Sequence, residues 1–435
     1  MIFLLHTLIV LGSIYVGVRL KGIGLGLMGA LGTLVLIFIF GMQPGSPPVD
    51  VMLIIISVVL AASAMEAAGG IKLLLKIAEK IMRSNPRFIT FLGPMTTYIF
   101  TLFAGTSHII YGLLPIISEI SVHHKTRPER PLTMSVIASH LAITASPVSA
   151  ATAAMATIIS PSGFGLKEIF LICIPSTFLG SLIGILFMWN KGKSWDKDPL
   201  LQKMSLKQPH EEQVQINMDP TARKSVLIFA SAVLGVSFFG LFPHFLPEFT
   251  DANGAVISIK TPVLIELIML GAAGIILLLC KKKPGDISHS PVFKTGMEAM
   301  ISIFGVVWLT DTFLMHNMPH IKSLLSDWVQ AYPFMFVGAL FIFSAIIFSQ
   351  AGTTKALMPL GIALGIPAPL LIAMFPAVNG DFVIPGYPTL VAAANFDRTG
   401  STRFGKYMFN HSFMLPGLVS IGATVLIGFL LSRLI

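Results

Sequence analysis

Long apolar runs alternate with short polar breaks along the whole chain. The runs fall at 1–18, 24–42, 50–68, 132–159, 168–189, 224–244, 262–280, 296–315, 369–395 and 411–432, with longer apolar tracts at 88–120 and 333–366. Most approach the ~20 residues that a bilayer-crossing helix needs. TLVLIFIFGM and VMLIIISVVLAASAM do not alternate, so they predict helices rather than the strands of a membrane barrel. A basic amphipathic stretch with Lys72, Lys76, Lys80 and Arg83 precedes residue 88.

The tract 88–120 fits neither simple reading. One helix would carry a Gly-Thr-Ser interruption. Two crossing helices would be too short, because Phe88 to Phe103 is 16 residues. That is ~24 Å at ~1.5 Å per residue, against a ~30 Å apolar core. A re-entrant hairpin that turns at Gly105, Thr106 and Ser107 fits the length. The expected fold is an all-α polytopic membrane protein with ten spanning helices and two re-entrant hairpins.

Composition agrees. The 435 residues are 54% hydrophobic and 11% charged, where soluble domains carry about 25% charged residues. The net charge of +9 reads as basic cytoplasmic loops, not as a nucleic-acid surface. One orientation satisfies every basic cluster: Arg19 and Lys21, Lys72 to Arg83, His123 to Arg130, the loop 190–223, Lys281 to Lys283, and Arg398 to Lys406 all face inside. Both termini then lie outside, on the periplasmic face. Residues 1–18 lack a basic leader and read as a retained first helix. Cys173 and Cys280 lie in apolar runs without metal-ligand spacing.

The second half repeats the first. NPRF at 85 matches YPFM at 332, AGTSH at 104 matches AGTTK at 351, and Glu66 corresponds to Asp311. ITASPVSAA at 143 corresponds loosely to VIPGYPTLVAA at 383. The charges place the two hairpin entrances on opposite faces, so the repeat is inverted, as in many secondary transporters. Its bounds are 1–189 and 224–435, with 190–223 a cytoplasmic linker.

Irregular backbone at membrane depth survives only where protein or a watery cavity surrounds it. The four interruptions should therefore share one polar site. Its candidate substrate-binding residues are Gly105, Thr106, Ser107, His108, Ser146, Pro147, Ser149, Gly352, Thr353, Thr354, Lys355, Tyr387, Pro388 and Thr389. Pro147, Pro385 and Pro388 free carbonyls upstream, and half-helix N-termini suit a carboxylate. The plainer alternative is that these hydroxyls cap backbone or pack helices. His108 and Lys355 stand just past the two tips and favour an anion.

His140, Asp381, Glu66 and Asp311 are candidates for coupling to sodium or protons. For Asp381 the alternative is a loop-edge carboxylate in water. For Glu66 and Asp311 it is a structural place near helix ends. GLGLMG at 24–29 fits a dinucleotide fingerprint but lies in an apolar span, so Gly22 and Gly26 read as close helix packing.

The chain resembles the anaerobic C4-dicarboxylate carriers of the DcuA/DcuB type. GTSHIIY, RPERP, ITASPVSAA, VFKTGM, GVVWLTDTF, SQAGTTKALMP, YPTLVAA and NHSFMLPGL carry the resemblance from end to end. It implies a carrier of the bacterial inner membrane for fumarate, succinate, malate and aspartate, exchanging them during fumarate respiration. It also implies kinship with transporters that move a hairpin-bearing domain past a fixed, often dimeric scaffold, hence a homodimer. Ser107 departs from the expected Gly-Thr-Gly at the first tip. Two other classes stand beside this reading: a dicarboxylate sensor that contacts a membrane kinase through 190–223, and a cation/proton antiporter of similar fold. The partners expected are small dicarboxylates and membrane lipid, without nucleic acid, enzymatic activity or a bound cofactor.

Overall fold

The computed structural model describes residues 2–20, 22–193, 195–198, 201, 220–250, 256–332, 334–347, 349–384, 387–405 and 410–435. Most of the linker 190–223, with Pro385 and Lys406, lies outside that set. The described chain is mostly helical. Its first half holds α1 (Ile2–Leu20), α2 (Gly24–Phe38), α3 (Val49–Ala67), α4 (Gly70–Ser84), α5 (Ile89–Ala104), α6 (Ile110–His123), α7 (Glu129–Ile143), α8 (Ala150–Ile159) and α9 (Leu166–Met188). The second holds α10 (Ala222–Leu241), α11 (Thr261–Leu279), α12 (Pro284–Ser288), α13 (Pro291–Ala331), α14 (Met335–Ile347), α15 (Gln350–Ala363), α16 (Ala368–Met374), α17 (Pro388–Phe396) and α18 (Met414–Leu431).

Six described helices are long and apolar enough to cross a membrane by length and composition: α3, α9, α10, α11, the Pro291–His320 part of α13, and Met414–Leu434. The other four expected spans are short or interrupted. The run 132–159 divides into α7 and α8, and 369–395 divides into α16, a 3-10 segment Phe375–Phe382 and α17. The run 296–315 is part of the 41-residue α13. A small antiparallel pair, β1 (Glu248–Thr250) and β2 (Val256–Ser258), precedes α11.

The helices bury three apolar clusters. The largest core joins α5, α7, α9, α14, α16 and α18. Smaller cores form around α3, α10 and α11, and between α1, α2 and α13. Helices α2 and α13 touch through glycine: a Cβ on Gly26 would lie 2.1 Å from the Ile301 carbonyl oxygen, and one on Gly305 would lie 1.8 Å from that of Gly26. Gly26 is thus a packing residue, as expected. Gly22 is not; it has φ +51° with open space around it and forms the turn before α2.

The two halves exchange equivalent contacts. Glu66, one residue from the end of α3, accepts the Val292 N–H at the start of α13 (2.9 Å). Asp311 of α13 accepts the Ser46 N–H just before α3 (2.7 Å). Donors and acceptors are offset by 246 and 245 residues. Helix α5 packs along α7, and α14 along Phe375–Phe382; α6 packs on α17, and α15 on α8. Asp311 therefore lies within a long helix rather than near a helix end, and both carboxylates hold backbone of the opposite half.

Candidate functional site where four helix interruptions meet

Each interruption has a local cause. Helix α5 stops at Gly105, whose φ of +69° is left-handed, and its N–H closes the last turn on Thr101 O. A Cβ there would lie 2.7 Å from the Val148 carbonyl oxygen, so this turn needs glycine. The first tip thereby touches the break between α7 and α8. That break spans Thr144 to Ser149 and contains Pro147. The Ser149 hydroxyl caps α8 by accepting the Thr152 N–H (3.0 Å) and donates back to Ile143 O (2.6 Å). In the second half, the Ser349 hydroxyl caps α15 by accepting the Gly352 N–H (3.0 Å). Pro388 opens α17 after the break that follows Phe382.

Side chains then join the breaks. His140 of α7 is 1% exposed and Asp381 is fully buried. His140 Nδ1 lies 3.0 Å from Asp381 Oδ1, and its Nε2 lies 2.8 Å from the Thr389 hydroxyl. An ionised Asp381 accepts from Nδ1–H, which leaves a neutral Nε2 to accept the Thr389 proton. Gln350 Nε2 donates to the other Asp381 oxygen (2.7 Å). The Tyr387 ring stands edge-on to His140 at 4.9 Å, and its hydroxyl interacts with Gln350 and Ser107. Asn379 donates to the Thr144 hydroxyl (3.4 Å) and to Pro376 O (2.9 Å). The cluster therefore joins all four interruptions.

Burying charge in the apolar interior is costly, and a carboxylate there needs partners on both oxygens. Asp381 has them. Of the ten buried side-chain atoms without a hydrogen-bond partner among the described residues, two belong to the elements of this cluster, the Thr353 hydroxyl and Asn379 Oδ1. An orphaned buried group costs about 1–3 kcal/mol. Lys355, half-buried one turn into α15, forms no ion pair among the described residues.

Comparison with known proteins agrees with the resemblance read from the sequence. A family model described as "Anaerobic c4-dicarboxylate membrane transporter" (DcuA_DcuB) matches residues 2–435. The chain belongs to the DcuA/DcuB family. It is 40% identical to the C4-dicarboxylate transporter DcuA of Wolinella succinogenes over 99% of both chains. It is 39% identical to DcuA of Escherichia coli K12 over 98% of both chains. The E. coli O157:H7 transporter DcuB is 34% identical over 100% of this chain and 99% of its own. The fold is also that of the Alcanivorax borkumensis YdaH transporter, at TM-score 0.53 and 15% identity, covering 98% and 97% of the two chains. This family is one of transporters, not enzymes, and the chain is an integral membrane protein.

Within this DcuA/DcuB chain the expected site residues fall into distinct places. Gly105, Ser107, Tyr387, Thr389, His140 and Asp381 lie in the linked cluster. Thr106 is half-buried at the first tip, and Ser146 and Pro147 are buried in the break. The His108 side chain lies outside the described atoms. Ser149 and Gly352 are occupied in caps, and the Thr354 hydroxyl donates within its own helix to Gln350 O (2.7 Å). Pro388 is exposed. Glu66 and Asp311 hold backbone elsewhere and, among the described residues, form no bond to the cluster. Asp381 does not face water as a loop-edge carboxylate; it is enclosed by His140 and Gln350. Gln350 and Asn379 were absent from the expected set. Both were signalled by a polar side chain beside an interruption, in SQAGTT and in AVNGDF.

Proposed function

We propose that this chain is a secondary transporter of four-carbon dicarboxylates in the bacterial inner membrane. Fumarate, succinate, malate and aspartate are its substrates, and fumarate/succinate exchange is its principal mode. The relatives' names supply the substrate class. The observation that carries the placement is the convergence of both tips and both broken helices on His140, Asp381, Gln350 and Tyr387.

In this reading α5 with α6, and α14 with α15, are re-entrant hairpins of an inverted repeat, and both termini are periplasmic. The exchanged contacts of Glu66 and Asp311 support it, because a two-fold related pair of halves makes each contact twice. One substrate carboxylate meets Thr106, Ser107 and the first tip. The other meets Thr353 and Lys355 at the second tip. Asn379 Oδ1 accepts a donor or a coupling cation. The His140–Asp381 pair carries the coupling proton, since protonation of either group changes the net charge of the buried cluster. Hairpins and broken helices move together past the α1, α2, α3, α10, α11 and α13 helices of a homodimer.

The test is counterflow of labelled succinate in proteoliposomes against a panel of four-carbon acids, with and without sodium and a pH gradient. Exchange with fumarate, malate and aspartate but not with monocarboxylates is expected. Cation exchange indifferent to every dicarboxylate would refute the proposal and favour the antiporter alternative. Dicarboxylate binding without flux would favour the sensor.

A further inference from the structure

A second feature lies on the far side of α5 from this site. One face of α5 is tied to α7: the Thr97 hydroxyl donates to Ser135 O (3.1 Å), and Thr101 meets Ser139 (2.8 Å). The opposite face borders a cavity of about 330 Å³ lined by Ile81, Phe91, Leu92, Met95, Ile99 and Phe178. Its walls belong to α4, α5 and α9, and it is almost wholly apolar. Ile81, Phe91, Ile99 and Phe178 are each more than a third exposed. A helix as short as α5 (16 residues) leaves such a recess in the lipid-facing surface.

Basic residues stand close in sequence to the lining of the recess. Helix α4 buries Gly70, Ala78 and Met82 and exposes Lys72, Lys76 and Lys80. Lys80 adjoins Ile81 of the wall, and Lys76 lies one turn before it. Neither forms an ion pair among the described residues, whereas Arg83 is taken by Glu79 and Glu119 (2.7 Å each). Arg87 is exposed in the turn just before α5, four residues before Phe91. At the same end, the Phe88 and Trp189 rings meet at 6.3 Å, and Lys191 Nζ lies 4.5 Å over Phe187. Aromatic and basic side chains gathered in this way mark the boundary between headgroups and hydrocarbon.

We propose that an acyl chain of an anionic phospholipid fills this recess, with its headgroup held by Lys76, Lys80 and Arg87. An apolar recess in contact with hydrocarbon is filled by chains, and nearby basic residues select the sign of the headgroup. A second transmembrane helix is a poorer occupant, because close helix packing uses small residues and these walls are Phe, Ile, Leu and Met. The lipid braces the outer flank of α5, whose far end touches Val148 at the candidate site. The inference uses the membrane reading of α5 and is independent of which substrate is carried.

Native mass spectrometry of the full chain, titrated with phosphatidylglycerol or phosphatidylcholine of identical chains, tests the headgroup. Phosphatidylglycerol should be retained at a several-fold lower mole fraction. Lys76→Gln with Lys80→Gln should erase that preference while leaving phosphatidylcholine retention and succinate counterflow unchanged. Tryptophan fluorescence of Phe178→Trp, quenched by the same lipids brominated in their chains, tests the place. Quenching by the phosphatidylglycerol form should exceed that of Leu186→Trp, at a 70% exposed position on α9. Equal retention of both lipids, a preference that survives the lysine substitutions, or equal quenching at the two positions would overturn the proposal.

Discussion

His140 and Asp381 each stand seven residues before the proline of their own helix break, Pro147 and Pro388, and their side chains meet at 3.0 Å. The pair joins the two halves of the chain through a fully buried histidine–carboxylate hydrogen bond. Everything proposed for the site is arranged around it.

The pair separates stability from coupling. Asp381→Ala leaves a buried imidazole and the Gln350 amide without their acceptor, at a cost of about 3 kcal/mol. It should lower the unfolding temperature in detergent. Asp381→Asn keeps the shape and most hydrogen bonds but removes the charge. It should retain counterflow and lose the acceleration of net uptake by an inward pH gradient. An unchanged response to the gradient in Asp381→Asn and in His140→Gln would remove the pair from proton coupling.

Thr353 gives the opposite pattern. Its hydroxyl is buried and unpartnered among the described residues, so Thr353→Val removes an unsatisfied group and preserves volume. Stability should be unchanged or raised by about 1 kcal/mol, while succinate counterflow falls by an order of magnitude or more. Thermal unfolding and counterflow measured on one preparation check both halves.

Gly105 and Gly41 share a left-handed backbone, with φ of +69° and +66°, but only Gly105 faces backbone, that of Val148. Gly41→Ala pays the conformational cost alone, about 1 kcal/mol. Gly105→Ala adds a clash with a carbonyl that cannot rotate away. It should destabilise more and abolish transport, whereas Gly41→Ala stays active. Comparable activity of the two variants would mean that the first tip does not need its contact with the α7/α8 break.

The exchanged carboxylates should behave as a matched pair. Glu66→Gln and Asp311→Asn each weaken one charge-assisted hydrogen bond to backbone, a loss of about 1–2 kcal/mol. Both should lower thermal stability by similar amounts and leave the ion dependence of transport unchanged. Altered ion dependence in either variant would return that residue to the coupling machinery.

Much of this was legible in the sequence. Gly, Ser, Thr and Pro inside apolar runs marked every interruption, because such residues have few uses at membrane depth. Tertiary pairing was not legible. That His140 meets Asp381, and not a local carbonyl, depends on contacts across 241 residues, which no local pattern encodes. Hydroxyls also look alike in sequence whether they cap a helix, as Ser149 does, or have no partner among the described residues, as with Thr353. The β1/β2 pair had a readable signal in the Asn253-Gly254 dipeptide followed by AVISI. The length of α13 had none, because no glycine or proline stops the helix after residue 315 until Pro319, which it absorbs.

The account stands on the claim that four-carbon dicarboxylates pass through the cluster that links the two tips. Labelled-succinate counterflow in proteoliposomes tests it most directly, with the native chain, Thr106→Ala and Thr353→Val compared at equal insertion. The native chain should accumulate label against internal fumarate, and both variants should accumulate almost none. Full counterflow by both variants, or none by the native chain with any four-carbon dicarboxylate, would contradict it.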